Sequence, residues 1–140
     1  MYMDNFYDTA NRMYKSSQIL HNNNEYHNAC YMAGYVVECY TKIIVGLFST
    51  NIPRSYSHNL SNLNIALQHI LSGNSSLSPY ILNGSLDFVT ILSNWNPVNL
   101  RYIGNANSLN TQSLSISFQN EIQLAMQKLA ELQIDGHVLI

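Results

Sequence analysis

The sequence predicts an all-α protein, one domain over residues 1–140 folded as an up-and-down bundle of about five helices. Three observations carry that expectation. Apolar side chains recur at alternating spacings of three and four through each long segment, the repeat of a helix with one buried face. No stretch alternates strictly between apolar and polar, and no Asn-Gly pair is flanked by β-branched runs, so strands have no competing signal. The 140 residues suffice for one packed core and fall short of two, and no internal repeat divides them.

The first helix is expected from Asp4 to Leu20, with Phe6, Ala10, Met13, Ser17 and Leu20 as its stripe and Asp4 as its cap. The run His21-Asn22-Asn23-Asn24 breaks it with residues that bond their own backbone. A second helix then runs from about Glu25 to Phe48, antiparallel to the first because the link is short. Pro53 closes it, and a loop leads to about His58. Leu60, Leu63, Leu67, Ile70 and Leu71 mark a third helix from Asn59 to Leu71, with Gly73-Asn74 as a left-handed stop. A fourth, Tyr80 to Trp95, puts Ile81, Phe88, Val89, Leu92 and Trp95 on roughly one side, with Gly84 inside it. Asn96 to Asn110 reads as a long connection, of the kind that is functional or mobile. Leu114, Phe118, Ile122, Ala125, Leu129 and Leu132 define the fifth helix, from Thr111 to near Gln133, ended by Gly136.

Composition narrows the function classes. Six Lys and Arg against eight Asp and Glu give a net charge of −2, so no global positive field exists to hold a phosphate backbone. Charged residues make up 10% of the chain, against roughly 25% in an average soluble domain. Asn, Ser and Tyr take their place, a composition that favours self-association. Tyr26, Tyr31, Tyr35, Tyr40, Tyr56, Tyr80 and Tyr102 read as interface residues before base-stacking ones, since Lys and Arg are not interleaved with them. The N-terminus lacks the apolar core of a signal peptide, and no 18 consecutive residues are apolar. The expectation is a cytoplasmic protein without a membrane partner.

Cys30 and Cys39 lie about 13 Å apart along one helix, cannot bridge each other, and read as small buried hydrophobes in a reducing compartment. His21 and His27 flank Glu25 at a poor spacing for shared ligation, and His69 and His137 have no acidic or thiol companion at ligand spacing. No metal site and no cofactor are expected. No Gly-x-Ser-x-Gly elbow and no Gly-rich phosphate loop is present.

Turning the second helix by 100° per residue gathers Ala29, Ala33, Val36, Tyr40, Ile43 and Leu47 on one side and His27, Tyr31, Gly34, Tyr35, Glu38 and Lys42 on the other. Glu38 and Lys42 stand four apart in the favourable order. Exposed, they form an ordinary surface pair; approached by a neighbour over Gly34 and the tyrosines, they belong to a partly buried polar network. The residues alone leave both readings open.

The segment from Ala29 to Lys42, with Gly34, Tyr35, Glu38 and Lys42, resembles the HEPN family's helix of the form A-x-x-x-A-G-Y-x-x-E-x-x-x-K. Ser57-His58-Asn59-Leu60 with Leu63 is similar to the family's histidine opening of the next helix. Trp95-Asn96-Pro97 followed by Arg101-Tyr102 is similar to its Trp-x-Pro … Arg-Tyr segment. The three occur in the family's order, and the resemblance spans roughly residues 4–133. It implies a HEPN-like bundle, usually a homodimer, from prokaryotic toxin–antitoxin and antiviral defence systems, often beside a nucleotidyltransferase. Many members are metal-independent endoribonucleases in which an Arg and a His, separated by four to six intervening residues, act at the ribose 2′-hydroxyl and the phosphate. Here Arg54 precedes His58 by one residue less than that spacing, and Arg101 has no His before His137.

The expectation is therefore a dimeric protein or RNA interaction module that works without turnover, its partner being RNA or a nucleotidyltransferase or other defence protein. The alternative is a metal-independent endoribonuclease with Arg54 and His58 as the catalytic pair and Arg101 as a candidate phosphate contact. Tyr35, Glu38, Lys42, Arg101 and Tyr102 are the candidate binding residues. Arg101 is expected to reach the Glu38 carboxylate and fix the tryptophan segment against the second helix, because a forked guanidinium suits a carboxylate.

Overall fold

The helix that the sequence divides into two faces is buried on nearly all sides. In the computed structural model, which describes residues 4–102 and 111–137, α1 (Phe6–Asn22), α2 (Tyr26–Phe48), α3 (Leu60–Gly73) and α7 (Gln112–Ile134) are the long helices. Three short ones, α4 (Gly84–Asp87), α5 (Val89–Asn94) and α6 (Pro97–Leu100), lie between α3 and α7. The described residues are all-helical apart from their links. α2 runs through the middle and packs against α1, α3 and α7, burying the aliphatic stripe Val36, Ile43 and Ile44 and also Val37, Cys39 and Val45 on its flanks. Among the described residues α2 alone has the length and apolarity of a membrane span, but 67% of that stretch is buried inside the bundle, the signature of a core helix.

Local chemistry sets the ends. Asn5, not Asp4, caps α1, its side-chain oxygen accepting from the Asp8 amide at 3.0 Å. The link to α2 turns at Asn24, whose φ of 63° is one that asparagine tolerates. Asn59 and Thr111, expected as the first residues of their helices, stand just before α3 and α7 as side-chain caps, and Gly136, at φ 84°, supplies the left-handed stop after α7. The stop after α3 is of another kind. Gly73 is still helical, and Asn74 is extended at φ −153°, capping a short 3-10 turn over Ser75–Leu77.

The expected fourth helix from Tyr80 to Trp95 is two helices. Phe88 leaves the helical region, at φ −122° and ψ 32°, while its ring is buried against Tyr40 at 5.7 Å between centroids. The restart is held by Glu121 of α7, whose two carboxylate oxygens accept from the amides of Thr90 (3.1 Å) and Ile91 (2.9 Å). A carboxylate on the bare N–H groups of a helix start is a favourable place for a buried charge. The break also turns Val89 outward, against expectation. Gly84 begins α4 because a Cβ there would stand 2.4 Å from the Asn64 side-chain oxygen that accepts from its own N–H. The first part of the expected connection is helical, α6 being capped by Asn96 with Pro97 in its first turn. The Gly104–Asn110 portion lies outside the described residues.

Polar stitches cross the core between α1, α2 and α7. Ser17 Oγ donates to the Ala29 carbonyl (2.7 Å) and accepts from Gln119 Nε2 (2.7 Å). His21 Nδ1 meets Ser115 Oγ at 2.7 Å. Cys30 and Cys39 are buried thiols outside any disulfide, and burial pushes both up to about 12.

Candidate functional site

The polar face of α2 is sealed by later parts of the chain. His27 Nε2 lies 2.9 Å from the Leu100 carbonyl. Trp95 lies across Gly34 and donates from Nε1 to the Tyr31 carbonyl at 2.9 Å. A Cβ on residue 34 would stand 2.0–2.1 Å from the indole, so the glycine is there for close approach. Tyr35 meets three rings edge to face, with centroids at 5.0 Å from Trp95, 5.4 Å from Tyr31 and 5.7 Å from His58. Of the two open readings, the partly buried polar network is the one observed.

Glu38 is its centre, 4% exposed, with Oε1 at 2.7 Å from His58 Nδ1 and 3.9 Å from Lys42 Nζ. Burial raises the Glu38 carboxyl above its ordinary value, and Lys42 and His58 offset only part of that rise. Lys42 is itself nearly buried and extends over the Phe6 ring at 5.7 Å. Nδ1 of His58 is committed to a buried carboxylate, while the side chain as a whole is 42% exposed.

His58 lines a groove of about 760 Å³ between the chain from Ser55 to Asn62 and the stretch from Leu92 to Val98. Trp95, Pro97, Leu92 and Val98 give it an apolar side, and serine and asparagine the other. No Lys, Arg, Asp or Glu is among its lining residues. The structure does not bring Arg54 and His58 onto a common ligand. Arg54 grips Asp4, Nε to Oδ2 at 2.9 Å, with Nη2 on the other oxygen, while His58 turns to Glu38. Asp4, expected as a cap, thus serves a partner fifty residues away, a pairing for which local sequence carries no signal.

The expected Arg101–Glu38 pair is replaced by another. Arg101 Nε donates to the Tyr31 hydroxyl at 2.9 Å, and that hydroxyl lies 3.2 Å from the Tyr35 hydroxyl. Glu38 already has His58 and Lys42, so the fork finds phenolic oxygens instead. Burial opposes ionisation of Tyr31, but hydrogen bonds from Tyr35 and Arg101 outweigh it and hold the hydroxyl below the usual phenol range; burial pushes Tyr35 up. Tyr102, beside Arg101, is 84% exposed. It is the one exposed member of the seven expected interface tyrosines. Tyr40, at the other extreme, is wholly buried, its hydroxyl donating to the Tyr80 carbonyl and accepting from the Leu82 amide at 3.0 Å.

Among the described residues no group of three or more His, Cys, Asp or Glu is placed to hold a metal ion. No protein-family model matches the chain, and no curated protein or solved structure matches it.

Proposed function

We propose that the chain is a HEPN-like interaction module of a prokaryotic defence or toxin–antitoxin system, a cytoplasmic homodimer that binds a partner protein or RNA without turnover. The observation that carries this reading is the uncharged groove beside His58. Phosphoryl chemistry needs a cation where charge develops on the phosphate, yet the groove is lined by none, with Arg54 on Asp4 and Arg101 on Tyr31. A neutral groove with tryptophan and proline on one side and amides and hydroxyls on the other suits recognition by packing and hydrogen bonding. The motifs on α2, at His58 and from Trp95 to Tyr102 support the family part of the reading.

A second reading, a metal-independent endoribonuclease, is favoured by the carboxylate–imidazole pair, because Glu38 aligns His58 for proton transfer through Nε2. Purified protein incubated with RNA in chelator separates the two. The module leaves RNA intact at high protein concentration. Cleavage that disappears in His58→Ala would overturn it in favour of the enzyme. Sedimentation of the same protein tests the homodimer, and a monomer at every concentration would remove that part.

A further inference from the structure

Between α2 and α3 the chain runs from Ser49 to Asn59 without a single buried residue. Its middle is a 3-10 turn, Pro53–Tyr56, wound by backbone bonds from Ser55 to Ile52 (3.0 Å) and from Ser57 to Arg54 (3.1 Å). Tyr56 rests against the core from outside. Ser57 is held at φ 51° and ψ −124°, a conformation uncommon for a residue with a side chain, so the backbone itself resists the winding. Beside the Tyr56 packing and the ring contact of His58 with Tyr35, two charged pairs tie the segment to the bundle: Arg54 on Asp4, and His58 on Glu38. The two ties differ in depth. The Glu38 side chain is 5% exposed, whereas Asp4 and Arg54 are 25% and 61% exposed and open to screening.

We propose that residues 49–59 form a latched strap: the Asp4–Arg54 clasp holds it closed, and release of the clasp lets it leave the bundle as a unit, removing the groove wall that runs from Ser55 to His58. Small, contiguous, weakly buried segments open in this way without global unfolding. The clasp recognises a charged carboxylate, since the hydrogen bond from Arg54 holds the Asp4 carboxyl below its ordinary value; Arg54 and Lys42 are the cations that act on it. The inference goes beyond the proposed function, because it holds whatever the groove binds.

Native-state amide exchange on the full chain, at low and at high salt, tests it. Asp4→Asn is expected to speed exchange at Ser55, Ser57 and Asn59 by about tenfold, while amides in α2 and α7 keep their protection. High salt moves the parent chain toward the variant, and the variant itself responds little. Arg54→Gln reproduces the result from the other side of the clasp. Equal strap exchange in parent and variants would overturn the latch, and so would a rise shared equally by α2 and α7, which would mark general loosening.

Discussion

Replacing Gly34 by alanine sets two effects of opposite sign against each other. In a helix interior alanine is better than glycine by about 1 kcal/mol, so on α2 taken alone the change stabilises. The structure reverses the sign. The new Cβ would meet the Trp95 ring at 2.0–2.1 Å, where ordinary contact begins near 3.4 Å. The indole must withdraw by more than 1 Å, and the atoms facing Gly34 are ring atoms of a buried side chain rather than a flexible tip. Overpacking of this kind costs about 1–3 kcal/mol, and displacing a buried tryptophan costs more, about 3–5 kcal/mol. The net expectation is a loss of about 2–4 kcal/mol. Urea unfolding measures it, and because Trp95 is the sole tryptophan, its emission reports the same event, shifting to the red as the indole meets water. A variant that gains about 1 kcal/mol with unchanged emission would refute the packing of Trp95 on α2.

Three further outcomes follow from the geometry. Glu38→Gln keeps the shape and an acceptor for His58, and since burial raises the parent carboxyl, the parent's stability relative to the variant is full below about pH 4.5 and is lost as pH rises through the raised folded value; denaturant midpoints across that range give the difference, and the opposite slope would reject the burial argument. Glu121→Ala removes two charge-assisted bonds from the start of α5 and is expected to cost about 1.5–3 kcal/mol, seen in the same unfolding measurement; a neutral substitution would mean that the helix restarts without its carboxylate. Cys30 and Cys39, buried and raised to about 12, are expected to resist an aromatic disulfide reagent in the native chain and to react at once in denaturant; fast native labelling would contradict their burial.

Where apolar spacing alone decides an element, sequence and structure agree. Phe118, Ile122, Ala125, Leu129 and Leu132 step along α7 as read, and Leu60, Leu63 and Leu67 do so along α3. The differences arise where a distant group intervenes. Phe88 continues the helical stripe of its segment, yet a carboxylate on α7 caps the backbone one turn later and splits the helix, and nothing within residues 80–95 encodes Glu121. Gly73 carries the usual signal of a left-handed stop, but the following Asn74 finds its own turn to cap. The candidate site divides in the same way. Glu38 and Lys42 stand out because charge is scarce on this chain, and with His58 they meet at one carboxylate. Charge matching pairs the guanidinium of Arg101 with that carboxylate, a rule blind to the fact that His58 and Lys42 fill the place first and leave Arg101 to two tyrosines. Arg54 shows the same limit, since Asp4 is remote in sequence and adjacent in space.

The arrangement at the groove depends on one proton. With an ionised Glu38 as acceptor, a neutral His58 ring that keeps this hydrogen bond must donate it from Nδ1, which leaves Nε2 without a hydrogen. Nitrogen-15 NMR of the imidazole reads this directly: the expected spectrum shows a protonated Nδ1, a preference that weakens in Glu38→Ala. A neutral ring with its hydrogen on Nε2, unchanged by that substitution, would contradict the role given to Glu38 and with it the whole placement of the site.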